Sequence, residues 1–332
     1  MIDKNEYLKS IQDKVASEKE GIDLRLSKFG KAGDSIEYKT ALQDIPYLKE
    51  PEAVKKGMQL LKNKQEDATV RLLVLQKALS EIGKNTEYLR DCLFILQDGS
   101  DQVELRRTIL SALRAFSFGS KLFASLRVEY MTALRSLLDD PDALLREMAA
   151  EDLAKDKDEY VQRRLLDGLT GRAAPIVSTA KAIQLLGYDI HAEHYPIVRG
   201  ILQNPASDEA IKLEAIHVLA NDEKSKDLLA QLMMDKGQEM EVRMSSATAL
   251  KTSHFEDFIK IAKPMVTDEK EEKDMRAVVL NALMHHSDSK ALYDDKEFIQ
   301  KVTDLQSLTT PADLKKLSTR FLDNVTRQSK KR

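Results

Sequence analysis

One short pattern recurs along the chain and restricts what it can fold into. An apolar residue is followed by a basic one, then by small or apolar residues one and two helical turns on. It begins at Val70-Arg71, Leu105-Arg106, Leu145-Arg146, Ile176, Ile211-Lys212, Val242-Arg243, Met275-Arg276 and Leu314-Lys315. The Ile176 copy lacks the basic residue. Turn signals such as Asp98-Gly99, Asp139-Asp140-Pro141, Asn204-Pro205 and Asp235-Lys236-Gly237 precede the copies, each offering caps for a following helix. A two-helix unit repeating roughly every 35 residues is the signature of a solenoid, in which each hairpin buries its apolar face against its neighbours. No stretch sustains period-two alternation, so the expectation is an all-α protein of about eight helical hairpins.

The spacing divides residues 52–328 into approximate repeats 52–83, 86–118, 121–155, 157–188, 192–221, 224–252, 254–286 and 295–328. Residues 1–51 fit the pattern poorly. Tyr7, Leu8, Ile11 and Val15 predict a short amphipathic helix, Gly21 and Gly33 bracket an interrupted stretch, and Ile36–Ile45 predicts another helix. This leader is expected to cap the array or to reach a partner. Residues 329–332 form a basic tail.

The segment DDPDALLREMAAEDL (139–153) resembles a HEAT repeat, with its Asp-Pro turn followed by an apolar-Arg pair and then by alanines and leucine. QEMEVRMSSATAL (238–250) is similar. The resemblance extends over about residues 52–328. It implies a right-handed α-α superhelix whose second helices line a concave face, and arrays that mostly bind proteins. It also implies a structural role for the basic ladder Arg71, Arg106, Arg146, Lys212, Arg243 and Arg276: each would close a hairpin by pairing with turn acids such as Asp101, Asp140 and Asp208.

At about 100° per residue, positions four, seven and eight after each pattern start face the core, and positions two, six and nine point away from it. The outward set includes Arg107, Arg114, Glu147, Glu151, Ser178, His217, Met244, Thr248 and Asn281, the candidate residues for contact with a partner. Ala182, Leu185 and Met284 fall in the same set.

Signals of chemistry are sparse. His191 and His194 form a His-x-x-His, and His285-His286 close a helix, but neither pair has companion ligands at metal-binding spacing. There is no His-Glu dipeptide of the kind that marks HEAT-type di-iron hydroxylases, no phosphate-binding glycine loop and no nucleophile elbow. Neither a catalytic residue nor a cofactor or metal is expected. The single cysteine, Cys92, reads as a buried apolar residue. A formal net charge of -3 and the absence of tryptophan weigh against a nucleic-acid partner. No apolar run is long enough for a membrane span. Taking Met1 as the natural start, a cytoplasmic protein is expected. The reading is a non-enzymatic scaffold or adaptor that binds a protein partner on the concave face. The alternatives are a HEAT-type enzyme or lyase, dependent on a chromophore or a metal, or a nucleic-acid-binding repeat protein.

Overall fold

The computed structural model describes residues 4–118, 121–285, 292–307 and 312–329. His286 and the basic tail at 330–332 lie outside the described residues. Within them the chain is all-α. The helices are α1 (Lys4–Lys31), α2 (Ser35–Asp44), α3 (Pro51–Lys62), α4 (Ala68–Ile82), α5 (Thr86–Gln97), α6 (Val103–Ser117), α7 (Lys121–Ala124), α8 (Arg127–Leu137), α9 (Ala143–Lys155), α10 (Glu159–Leu169), α11 (Thr179–Leu186), α12 (Tyr195–Leu202), α13 (Glu209–Leu219), α14 (Lys226–Met234), α15 (Met240–Ser253), α16 (Phe255–Thr267), α17 (Lys273–Met284), α18 (Lys296–Ser307) and α19 (Ala312–Ser329). No described helix is long and apolar enough to cross a membrane.

The chain divides into two compact units, Met1–Val161 and Gln162–Arg332. In the first, α3–α4, α5–α6 and α8–α9 are antiparallel hairpins, and their second helices pack side by side as α4, α6 and α9. In the second unit, α12–α13, α14–α15, α16–α17 and α18–α19 pair in the same way, with α11, α13, α15, α17 and α19 as neighbours. Each second helix turns one apolar stripe inward: Val70, Val74 and Ala78 in α4, Leu105, Ile109 and Leu113 in α6, and Leu145, Ala149 and Leu153 in α9 are all at most 1% exposed. A buried leucine contributes about 2 kcal/mol, so a single hairpin has too little interior of its own and the stack supplies the rest.

Short polar residues start these helices. Asp67, Asn85, Asp142 and Asp208 each accept backbone N–H groups from the first turn of the following helix. The leader differs from the sequence expectation. α1 runs unbroken through Gly21, because a helical glycine costs only about 1 kcal/mol against alanine and good helix formers flank it. Its end is tied down by Lys56, whose ammonium donates to the carbonyls of Phe29, Gly30 and Ala32. The stretch before α11 also differs. The pattern copy begins at Ile176, but the helix starts at Thr179, three residues on, and Pro175 lies before it. That proline packs so close to α10 that a Cβ on Gly168 would stand 3.0 Å from its Cα. Gly171 turns the chain there with φ +70.

The basic ladder is structural, but it joins successive hairpins. The Arg71 guanidinium donates through Nε to the Leu61 carbonyl (2.8 Å) and through both terminal nitrogens to Asp101 (2.7 Å each). Leu61 lies in the same hairpin, whereas Asp101 lies in the turn of the next. Arg106 repeats this with the Leu96 carbonyl (2.9 Å) and Asp140. Arg243 does so with the Met233 carbonyl (3.1 Å) and Glu271 (2.8 Å). Arg276 donates to the Val266 carbonyl (2.9 Å). Lys212 reaches Gln238 and Glu239 of the following turn, and Asp208 N-caps α13. Arg146 donates to the carbonyls of Asp140 and Pro141 (2.7 and 3.0 Å), while the Asp140 carboxylate takes Arg106.

Candidate active site in the first unit

The outward candidates have separate fates. Arg107 is bonded to Asp142 (3.0 and 2.5 Å) across α6 and the start of α9. Glu147 is half-buried on α9. Arg114, in the last turn of α6, meets Glu151 of α9 at 3.1 Å. In the second unit, His217, Thr248 and Asn281 are exposed on α13, α15 and α17, and Met244 is half-buried against the core of that unit. Ser178 caps α11, accepting the Lys181 N–H at 3.3 Å. Ala182, Leu185 and Met284 are buried. Among the nine candidates, Thr248 donates to the Met244 carbonyl within α15, and Arg114 and Glu151 form an ion pair between two helices.

That contact leads to a residue pair the sequence reading passed over. The Arg114 Nε stands 2.9 Å from Oδ1 of Asp152, and the Tyr130 hydroxyl donates to Oδ2 of the same carboxylate at 2.8 Å. Both carboxylate oxygens are thereby fixed in direction. Tyr130 is only 3% exposed, and its ring stands edge-on to Phe123 with centroids 5.0 Å apart. The Asp152 side chain keeps 15% exposure, so solvent or a ligand reaches it from one side.

The surroundings shift both groups toward holding their protons. Burial raises the Asp152 pKa, and the Tyr130 hydrogen bond and the Arg114 charge only partly offset this. Burial also pushes the Tyr130 phenol up, with the Asp152 charge adding to the effect. The other shifted carboxylates in this region go the opposite way. The hydrogen bond from Arg107 leads in lowering Asp142. Hydrogen bonds from Lys64 and Ser100 bring Asp98 to about 2.

Tyr130 and Asp152 open onto a cleft of about 340 Å³, within the size range of small-ligand sites. Its other walls are Ser117, Phe118, Arg127, Lys155 and Asp156, with Arg127 bonded to Asp156 at 2.7 Å. A carboxyl group of raised proton affinity, oriented by two partners and facing a cleft, has the equipment of a general acid or base.

The signal for Asp152 was present in the sequence. It stands seven positions after Leu145, where the pattern faces the core. The other copies carry Ala112, Ile183, Val218, Ala249, Ala282 and Phe321 there, with Lys77 the one further polar residue. Tyr130, on the first helix of the hairpin, had no comparable signal.

Elsewhere, the rings of His191 and His194 stand 5.4 Å apart, and His285 bonds the Asn281 carbonyl at 2.8 Å. Among the described residues no three His, Cys, Asp or Glu side chains converge as metal ligands would.

No known family's sequence profile matches the chain, and no curated protein matches it by sequence. Among solved structures it is similar to the complex of CpcE and CpcF of phycocyanin lyase from Nostoc sp. PCC7120, at 16% identity. That match covers 84% of this chain and 96% of the other, with a TM-score of 0.36. It is also similar to human deoxyhypusine hydroxylase in complex with glycerol, at 15% identity, covering 75% of this chain and 98% of that one, with a TM-score of 0.32. Both are named for enzymatic activities, and this finding corrects two expectations drawn from the sequence: that the chain is a non-enzymatic scaffold, and that it has no activity. A helical-repeat array does not by itself imply an inert binding surface. At these identities and TM-scores neither protein lends this chain its chemistry, which has to be argued from the cleft.

Proposed function

We propose that the chain is a HEAT-type helical-repeat enzyme that performs general acid–base chemistry on a group presented by a protein partner. The Tyr130–Asp152 pair would give and take the proton. Arg114 would hold the carboxylate in register, and the partner would lie along the α6 and α9 surface carrying Arg107, Arg114, Glu147 and Glu151. The observation that carries the reading is the placement of Asp152: an acid at a core-facing position, hydrogen-bonded at both oxygens, with raised proton affinity, and open to a cleft on one side.

The test is a comparison of protein mass spectra after the purified chain is incubated with extract of its own host. A mass change on a host protein that the native chain produces should fall about 100-fold or more with Asp152→Asn, the scale of losing a general acid or base. The substituted chain should keep its helical circular dichroism. A mass change of equal size with both chains, or none with either, would reject the reading.

A further inference from the structure

The cleft also carries information about what it accepts. Phe118, at the end of α6, is 84% exposed, although a phenyl ring in water forgoes the burial that normally stabilises it. Lys155, in the last turn of α9, is exposed as well. The two lining cations differ. Arg127 is bonded to Asp156, whereas among the described residues no carboxylate is bonded to the Lys155 ammonium. An exposed ring and a cation that acts on Asp152 only through its charge therefore flank one opening whose floor is the Tyr130–Asp152 pair. A partner group that fits must offer a flat apolar face to Phe118 and an anion to Lys155.

We infer that the cleft recognises a segment of a protein partner in which an aromatic side chain stands next to a carboxylate side chain, the ring stacking on Phe118 and the carboxylate pairing with Lys155. This rests on the reading that the partner is engaged at this cleft. It adds the chemistry of the segment, which the acid–base pair alone does not specify. Stacking supplies area and orientation. The ion pair at the rim adds little affinity but discriminates by sign, because a basic neighbour would meet Lys155 with like charge.

The experiment uses the full chain, isotopically labelled, and three blocked tetrapeptides: tyrosine beside glutamate, tyrosine beside lysine, and leucine beside glutamate. Amide shifts near Phe118 and Lys155 report binding. The tyrosine–glutamate peptide should bind at least about fivefold more tightly than either of the others, the scale of one stacking contact or one rim ion pair. Phe118→Ala should weaken it about fivefold. Lys155→Glu should abolish the preference for the acidic peptide over the basic one. Equal binding of the acidic and basic peptides, or no binding by any of the three at millimolar concentration, overturns the inference. The two claims have separate readouts: the peptide preference at Phe118 and Lys155, and the mass change described above. Peptide binding without any mass change would reject the enzymatic reading and retain this one. A mass change without the peptide preference would do the reverse.

Discussion

Two arginine–aspartate contacts join α6 to the α8–α9 hairpin, one at each end of α6. At the N-terminal end Arg106 meets Asp140, with side chains 1% and 5% exposed. At the C-terminal end Arg114 meets Asp152, with side chains 25% and 15% exposed. The first contact has equivalents in both units, at Arg71–Asp101 and Arg243–Glu271. It belongs to the repeat, and its carboxylate is buried. In the second, the acid occupies a position that most copies give to an apolar residue, and a tyrosine from the neighbouring helix completes it. A repeat array thus shows what is structural by recurrence and what is special by departure. The same ion-pair chemistry serves either end, and burial and surroundings decide which role it takes.

The comparison is broken most severely at the buried end. Arg106→Ala leaves the Asp140 carboxylate buried without its cation, which costs about 3–5 kcal/mol. Urea unfolding followed by circular dichroism should show a loss of that size. Replacing both partners with apolar residues should recover much of it. A loss below about 1 kcal/mol would show that the ladder is not what holds successive hairpins together.

At the other end, Tyr130→Phe keeps the packing against Phe123 and removes one hydroxyl. The lost bond leaves one Asp152 oxygen with fewer partners, for an expected cost of about 1–2 kcal/mol. A gain in stability would mean that the Tyr130 hydroxyl is held there at the expense of the fold.

These contacts also show how far the sequence could be read. The hairpin pattern, the turns and the basic ladder were visible because they are local and repeated. The register of the ladder was not: Arg71 looked like a partner for an acid in its own turn, yet its carboxylate comes from the next hairpin, a distance set only by how hairpins stack. Asp152 was visible as a departure from the pattern, but its partners were not. Tyr130 lies 22 residues upstream on another helix, and Arg114 one hairpin earlier. A copy starting at Ile176 puts Ser178 on the outward face of a helix. The helix instead begins at Thr179, after the proline that packs on Gly168.

The two kinds of carboxylate should also part company in acid. Asp142 has a lowered pKa, chiefly through the Arg107 hydrogen bond, so its contribution to stability is present above the unfolded value and is lost as pH falls. Asp152 has a raised pKa. In the window from the unfolded value near 3.8 up to its folded value, the native state binds the extra proton, so its contribution is full below that window and declines as pH rises through it. Asp152→Asn should therefore flatten a fall in stability as pH rises above about 4. Asp142→Asn should instead blunt the loss of stability on the acid side. If both substitutions change the profile with the same sign, Asp152 does not hold its proton more tightly than an ordinary carboxylate.

The smallest effect belongs to the contact between the two extremes. Arg107 reaches Asp142 from the residue next to Arg106, but its side chain is 34% exposed and its carboxylate partner also caps α9. Solvent screens such a pair, and holding a long side chain in place costs entropy, so Arg107→Ala should change stability by no more than about 0.5 kcal/mol. Adding salt should make little further difference, since there is little Coulomb energy to screen. A loss above about 1.5 kcal/mol would place Arg107–Asp142 with the buried ladder. Half-exposed pairs between these helices would then be as structural as buried ones, and the partial exposure of Arg114–Asp152 could no longer serve as an argument that this contact does something other than hold α6 to α9.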